Sequence, residues 1–182
     1  MAVYNFTNLE TPSNMTSGIA DYILLAPVSD FDEIMCPEAP FNAPGDRIKI
    51  KTAHSFKADR AFAKLICSPN LNSLTGQSIG DLGFKKQDQT IDCVIPGSYA
   101  EVHEAIEMYM NQPLIALVKD AECAADLWYQ LGCDCVFAWM DATFTSGTTA
   151  DGRKGHAVKI NCKAAGIRLY EVDGGPAVLP SA

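Results

Sequence analysis

The sequence predicts a mainly β fold, a two-sheet β-sandwich or barrel with one flanking α-helix. Strand-like segments recur along the chain, either as strict apolar–polar alternation or as short apolar runs between turn residues. Only one segment has helical periodicity together with a helical start signal. The 182 residues, 48% hydrophobic and 20% charged, are typical of one globular domain, so residues 1–182 are predicted to form a single domain with its own core.

The predicted helix lies between Pro96 and Pro113. Ser98 is followed three residues later by Glu101, which predicts a capping box in which each side chain accepts a bond from the other residue's N–H. One helical face is apolar: Val102, Ala105, Ile106 and Tyr109. The acidic residues lie largely off this stripe, on a solvated face: Glu101, Glu104 and Glu107. Because so short a helix is marginal on its own, we expect its apolar stripe to pack against the sheets.

Most of the remaining chain is predicted to be strand. The predicted strands are residues 19–28, 47–56, 61–67, 84–95, 114–118, 126–131, 135–144 and 157–162, with 167–172 closing the sheet. Residues 57–60 are predicted to join two of these strands as a hairpin, and residues 145–155 to be a long hairpin connection. Residues 68–83 are predicted to be a loop with at most a short strand at 77–79.

The segment 84–95 alternates strictly and predicts a half-buried strand. One face carries Gln87, Gln89, Ile91, Cys93 and Ile95. The opposite face carries Lys86, Asp88, Thr90, Asp92 and Val94. The second face is conspicuously polar and is expected to lie outside the core.

Three segments are predicted to lie at the periphery: an N-terminal arm at 1–18, a projecting loop at 29–45 and a flexible C-terminal tail at 174–182. The projecting loop contains three prolines and four large apolar residues: Phe31, Ile34, Met35 and Phe41. Long loops inside compact domains are usually functional or disordered, and disordered segments are poor in apolar residues. We therefore predict a contact surface for another subunit; the alternative is a loop that folds back onto its own domain.

Composition excludes some classes of function. With 22 acidic and 14 basic residues, the net charge of −8 argues against stable nucleic-acid binding, which depends on Lys and Arg replacing counterions. The N-terminus lacks a signal-peptide pattern, and no apolar run approaches the roughly 18 residues of a membrane span, so we expect a cytosolic chain. The seven cysteines lie mostly in apolar strand-like runs and are expected to behave as small buried hydrophobes.

Sequence motifs for catalysis or metal binding are weak. Residues 147–154 have the glycine spacing of a phosphate-binding loop, but Arg153 stands where the lysine is required and a predicted strand follows. Cys133 and Cys135, with Cys123 upstream, have no second tight Cys or His pair to complete a zinc site.

The three histidines are scattered along the chain. His54 is predicted to be a satisfied core residue, His103 to lie on the solvent side of the helix, and His156 to border a loop. No local nucleophile signature is present. The alternative that the fold brings a nucleophile and a base together stays open. We predict no catalytic residue, no cofactor and no metal, and we therefore expect that the protein is not an enzyme.

The order of the elements is similar to that of a known family. A proline-containing loop, alternating strands, a glycine-rich loop and a strand precede PGSYAEVHEAIEMYMNQP; an apolar strand and FTSGTTADGRKGHAVKI follow. From about residue 20 to residue 172 this series resembles the major tail tube proteins of long-tailed bacteriophages, which are related to the Hcp-like tubes of bacterial injection systems. Its most suggestive parts are the PGS entry to the helix and the FTSGT plus GRKG loop.

The resemblance implies a structural virion protein: a homohexamer whose stacked rings form the conduit for DNA ejection. It implies that inner sheets join into a barrel, with Asp88, Thr90 and Asp92 as candidates to face the lumen; the alternative for these residues is an ordinary solvated face of the sandwich. The loop residues implied to contact a neighbouring subunit or ring are Phe31, Ile34, Met35 and Phe41.

The partners implied are further copies of the chain, a tape-measure protein, and tail terminator and baseplate proteins. DNA passes without stable binding, and no membrane is involved. The protein would be located in the virion tail after assembly in the host cytoplasm. One alternative is the Hcp-like inner tube of a contractile injection system. Another, from a different class, is a small ligand-binding β-sandwich that uses its Cys and His residues.

Overall fold

The structure is a computed structural model that describes residues 18–121, 127–147, 152 and 154–179. The predicted N-terminal arm lies outside this part of the chain except for Gly18. The described residues form one helix, α1 at Ala100–Met110, a short 3-10 turn at Val28–Asp30, and twelve strands. The strands are β1 Ile19–Pro27, β2 Phe31–Glu33, β3 Lys49–Ile50, β4 Ser55–Phe56, β5 Ala63–Ile66, β6 Ser73–Ile79, β7 Lys86–Pro96, β8 Leu114–Asp120, β9 Trp128–Leu131, β10 Trp139–Thr145, β11 Gly155–Ala164 and β12 Arg168–Tyr170. The predicted mainly β fold with a single helix is confirmed.

A six-stranded sheet forms the middle of the molecule. Its strand order is β3-β12-β9-β8-β1-β5, with β8 and β1 antiparallel near the centre. Apolar clusters lie against both faces of this sheet. Residues 114–118 of β8 are therefore all fully buried, which explains why this strand is a continuous apolar run rather than an alternating one.

A four-stranded antiparallel sheet packs over one face of the six-stranded sheet. Its order is β10-β11-β7-β6. The predicted alternation of β7 is confirmed, because Gln89, Ile91, Cys93 and Ile95 are buried while the residues between them are not. The prediction for β6 is wrong: a seven-residue strand replaces the expected loop. β6 is a polar, glycine-containing edge strand that lacks the apolar alternation by which buried strands are recognised.

A small two-stranded sheet, β2 with β4, covers the opposite side of the six-stranded sheet. The single strand predicted at 47–56 is therefore wrong, since β3 and β4 belong to different sheets. The predicted hairpin across 57–60 is also wrong, because β4 pairs with β2 whereas β5 pairs with β1. Of the residues predicted to face inward from this segment, Ile50 and His54 are buried, whereas Ile48 and Thr52 are exposed.

Helix α1 is where it was predicted, but its start differs. Tyr99 is the N-cap, with no side-chain cap bond, so the capping box predicted for Ser98 and Glu101 is wrong. Gly97 has φ of 98° and Tyr99 is extended, so the helix begins one residue later than the motif indicates. The Ser98 hydroxyl bonds instead to the His103 ring. Among residues described by the structure, no helix is long and apolar enough to cross a membrane.

The described part of the predicted C-terminal tail is attached to the domain. Phe62 N–H donates to the Ala177 carbonyl at 3.0 Å, and Leu179 N–H donates to the Phe62 carbonyl at 2.9 Å. The hairpin connection predicted between β10 and β11 is confirmed by their pairing from Thr145 and Gly155 onward. Within that connection, residues 148–151 and 153 lie outside the described part.

Candidate assembly surface

The four-stranded sheet turns one face away from the core, and we call this the outer face. Asp88, Thr90 and Asp92, predicted to face a lumen, lie on it and are half-buried. Cross-strand register places Asp92 beside Lys159 and Lys159 beside Asp141. The charged residues of the outer face are Lys86, Asp88, Asp92, Asp141, Lys159 and Lys163. Three lysines and three aspartates give this face no net charge, although the whole chain carries −8.

Polar contacts run across the outer face. Thr90 Oγ1 donates to Asn161 Oδ1 at 2.9 Å, and Asn161 Nδ2 lies 3.4 Å from Asp141 Oδ2. Lys159 Nζ lies 3.5 Å from Asp92 Oδ1, with both side chains substantially exposed. Such exposed pairs contribute at most about 1 kcal/mol of stability. Their main effect is to neutralise one another across neighbouring strands.

The two outermost strands of this sheet, β6 and β10, have free edges within the described residues. Four of the seven residues of β6 and five of the seven of β10 are exposed. Every neighbouring pair in the sheet is antiparallel, so β6 and β10 run in opposite directions. A β6 edge placed beside the β10 edge of another copy therefore makes an antiparallel pair, and unpaired edges favour such pairing.

The loop at 29–45 differs from its prediction over its first part. Phe31 is only 6% exposed and packs against Phe56, with ring centroids 4.4 Å apart. Ile34 and Met35 are partly buried against the same cluster. Residues 31–35 thus fold back onto their own domain, and Phe31 is not available to a neighbouring subunit. The cause is the β2–β4 pairing, which the sequence did not reveal.

The second part of that loop remains accessible. Phe41 is half-buried under the Arg47 guanidinium, 5.7 Å from the ring centroid. Residues 38–40 and 42–44 are exposed, and the Asp46 carboxylate accepts bonds from the N–H groups of Asn42 and Ala43. The contact predicted for this loop stays a prediction for Phe41 and its exposed neighbours.

His54 belongs to a buried hydrogen-bond network, which confirms the prediction of a satisfied core histidine. Met35 N–H donates to His54 Nδ1 at 3.0 Å, so Nε2 carries the proton of the neutral ring. Nε2 lies 2.9 Å from Gln130 Oε1, and Gln130 Nε2 donates to the Gly132 carbonyl at 3.0 Å. Protonation of Nδ1 would remove the acceptor for the Met35 N–H.

Stability is expected to fall as the pH drops below about 6.5. Burial lowers the pKa of His54, so the unfolded chain binds a proton in this range that the folded chain resists, and unfolding becomes easier. The measurement is the urea midpoint between pH 7 and pH 5. His54→Phe should be less stable at pH 7, because Gln130 and the Met35 N–H lose a partner, yet its midpoint should change less with pH. An unchanged pH slope in that variant would contradict the assignment.

A second histidine pair lies where α1 begins. His103 Nδ1 is 3.0 Å from His156 Nε2, and His103 Nε2 is 3.1 Å from Ser98 Oγ. The Phe144 ring lies 5.0 Å from each imidazole, measured between centroids. His103 is half-buried, so the prediction that it faces solvent is wrong; His156 borders the β10–β11 connection as predicted and is a buried residue of β11. The sequence missed this contact because the two rings lie 53 residues apart.

The contacts of this pair differ from those of a catalytic triad in the third group. A hydroxyl beside an imidazole resembles a nucleophile and its base. The base in such sites is oriented and stabilised by a third group, most often a carboxylate. Here the third group is a histidine rather than a carboxylate: burial, and to a smaller extent His103, lowers the pKa of His156 and favours its neutral form. The contacts fix the start of α1 against β11.

The prediction that the cysteines are buried is confirmed for only part of the set, since Cys133 is half-buried and Cys135 is exposed. Cys67, Cys93 and Cys162 are buried. Cys36 is half-buried and donates to Asp134 Oδ1 at 3.3 Å; burial and this bond raise its pKa to about 11 and keep the thiol protonated. Cys123 of the considered zinc set lies outside the described residues. Among those that are described, no group of three or more His, Cys, Asp or Glu side chains could hold a metal ion.

Comparisons with known proteins give no further information. No protein-family model, no curated protein and no solved structure matches the chain. Function is therefore inferred from the outer face and the two free edges.

Proposed function

We propose that this chain is the tail tube subunit of a long-tailed bacteriophage, assembled into stacked hexameric rings through which DNA passes. The observation that carries the proposal is a four-stranded sheet with two free antiparallel edges and a polar outer face without net charge. Because its number of strands is even, copies joined edge to edge keep the antiparallel alternation around a closed ring. The ring would satisfy both edges of every copy.

The size of the resulting barrel is compatible with six copies. Six four-stranded sheets give 24 strands. With strands about 4.8 Å apart and tilted by about 40°, such a barrel is roughly 48 Å wide between backbones and roughly 35 Å wide between side chains. A ring of three copies would leave only about 12 Å, the width of one α-helix. Six copies therefore leave room for double-stranded DNA.

The charge of the outer face suits rapid passage of DNA. Lysines hold phosphates by releasing counterions, and each such contact slows movement along the wall. On the outer face the lysines and aspartates are equal in number, and Lys159 lies between Asp92 and Asp141. In this role the tube would surround a tape-measure protein and meet terminator and baseplate proteins in the virion tail.

The purified full-length chain is expected to form hollow rings. Negative-stain electron microscopy and light scattering should show six copies per ring and a lumen of roughly 35 Å. The double change Asp88→Lys/Asp92→Lys should leave ring formation intact, since both side chains project from the sheet. It should also make the rings retain DNA at low salt and release it at high salt. A strictly monomeric wild type, or rings whose DNA binding ignores the charge reversal, would overturn the proposal.

A further inference from the structure

The most exposed large apolar side chains of the described chain lie on the turn between β6 and β7. Leu82 is 94% exposed and Phe84 is 82% exposed. We call residues 80–85 the tip. Its backbone is fixed: Phe84 N–H donates to the Asp81 carbonyl at 3.0 Å, and Gly80 has φ of 94°. A Cβ on Gly80 would lie 2.8 Å from the Phe84 carbonyl oxygen, so glycine is required there. The turn therefore holds two apolar side chains out in solvent.

A second exposed apolar patch lies at the opposite end of the same sheet. Tyr99 is 70% exposed and Phe144 is 43% exposed, and we call this pair the helix-end patch. The two are linked through His103, whose N–H donates to the Tyr99 carbonyl and whose ring contacts Phe144. β7 runs between the tip and this patch over eleven residues, about 35 Å of extended chain. The two patches therefore cannot meet within one copy.

We propose that the tip of one copy docks on the helix-end patch of a copy in the next ring. This inference rests on the proposed function and adds to it the contact that stacks the rings. Two different patches at opposite ends make a heterologous contact, which repeats without closing and so builds an open stack. A pairing of two identical tips would instead stop at two rings.

Charges beside the two patches favour the same pairing. The charged residues flanking the tip are Asp81, Lys85 and Lys86, all exposed. The described charged residues at the same end of the sheet as the helix-end patch include Glu101, Glu104 and Lys154, also exposed. The first set has a net charge of +1 and the second of −1, so the two ends attract. An anionic membrane is a poorer partner for the tip, because the whole chain carries −8.

Three variants of the full chain test the contact. Leu82→Ser/Phe84→Ser removes the apolar part of the tip, and Tyr99→Ser removes half of the helix-end patch. Met108→Ser, on a side chain 57% exposed on α1, is the matched control. All these side chains are exposed, so melting temperatures should stay near wild type. The tip variant and the patch variant should each form rings while stacking is weakened about tenfold or more, and the control should stack normally.

Mixing separates this proposal from its rivals. The tip variant keeps an intact helix-end patch and the Tyr99→Ser variant keeps an intact tip, so a mixture should form pairs of rings that neither forms alone. If Tyr99→Ser stacks like the wild type while the tip variant does not, the tip has another partner and the inference is overturned. Tip-dependent binding to phosphatidylcholine vesicles with normal stacking would also overturn it. If the wild type forms rings and the variants stack normally, only this contact is refuted. If the wild type forms no rings, the proposed function is refuted as well.

Discussion

Ile106→Asp is expected to unfold the subunit. Ile106 is 2% exposed and is the one buried residue of α1, in the core shared by the two larger sheets. An unpaired carboxylate at such a site costs several kcal/mol, a large part of the roughly 5–15 kcal/mol that stabilises a domain. The helix also covers the β10 side of the core, so its release would expose the sheets. Circular dichroism during heating should show loss of the cooperative transition, or a midpoint lowered by more than about 10 °C.

Two companion variants make the result specific to burial. Met108→Asp adds the same charge two residues away on an exposed position, and its melting should stay near the wild type. Ile106→Ala removes the side chain without a charge and should cost about 2–5 kcal/mol through the cavity it leaves. If Met108→Asp were as harmful as Ile106→Asp, helix electrostatics rather than core packing would explain the loss.

Elements with a strong periodic signal were predictable from the sequence. β7 alternates strictly because one face meets the core and the other meets solvent, and its outward residues were identified correctly. The continuous apolar run of β8 and the stripe containing Ile106 were identified for the same reason, since burial on both faces or on one stripe leaves a period in the sequence. Local composition therefore specified the centre of the fold.

Contacts between distant segments were not predictable in the same way. β6 is a polar edge strand whose pairing with β7 depends on the partner rather than on its own composition. The proline-rich loop around Phe31 predicts exposure, yet its partners Phe56 and Phe62 lie much later in the chain. The His103–His156 contact has no local signature at all. The exposure of Leu82 and Phe84 likewise became visible only when the β6–β7 turn was defined.

Proline substitution on β6 is expected to separate folding from ring formation. Successive N–H groups of an edge strand point in opposite directions, so one of Gln77 and Ser78 donates toward β7 and the other toward the free edge. Proline at the residue whose N–H points toward β7 removes a bond of the existing sheet and should destabilise the subunit by about 1 kcal/mol or more. Proline at the residue whose N–H points toward the free edge leaves the sheet intact, but it removes a donor from that edge and places its ring there.

The variant with proline facing the free edge is therefore expected to melt near the wild type and yet remain monomeric by light scattering, because the same defect recurs at every junction of a ring. Gln77→Ala and Ser78→Ala keep both N–H groups and should form rings, which controls for loss of the side chains. Rings formed as readily by both proline variants as by the wild type would show that the β6 edge is not a junction. Since the barrel requires a β6 edge in every copy, that outcome would remove the physical basis of the tube.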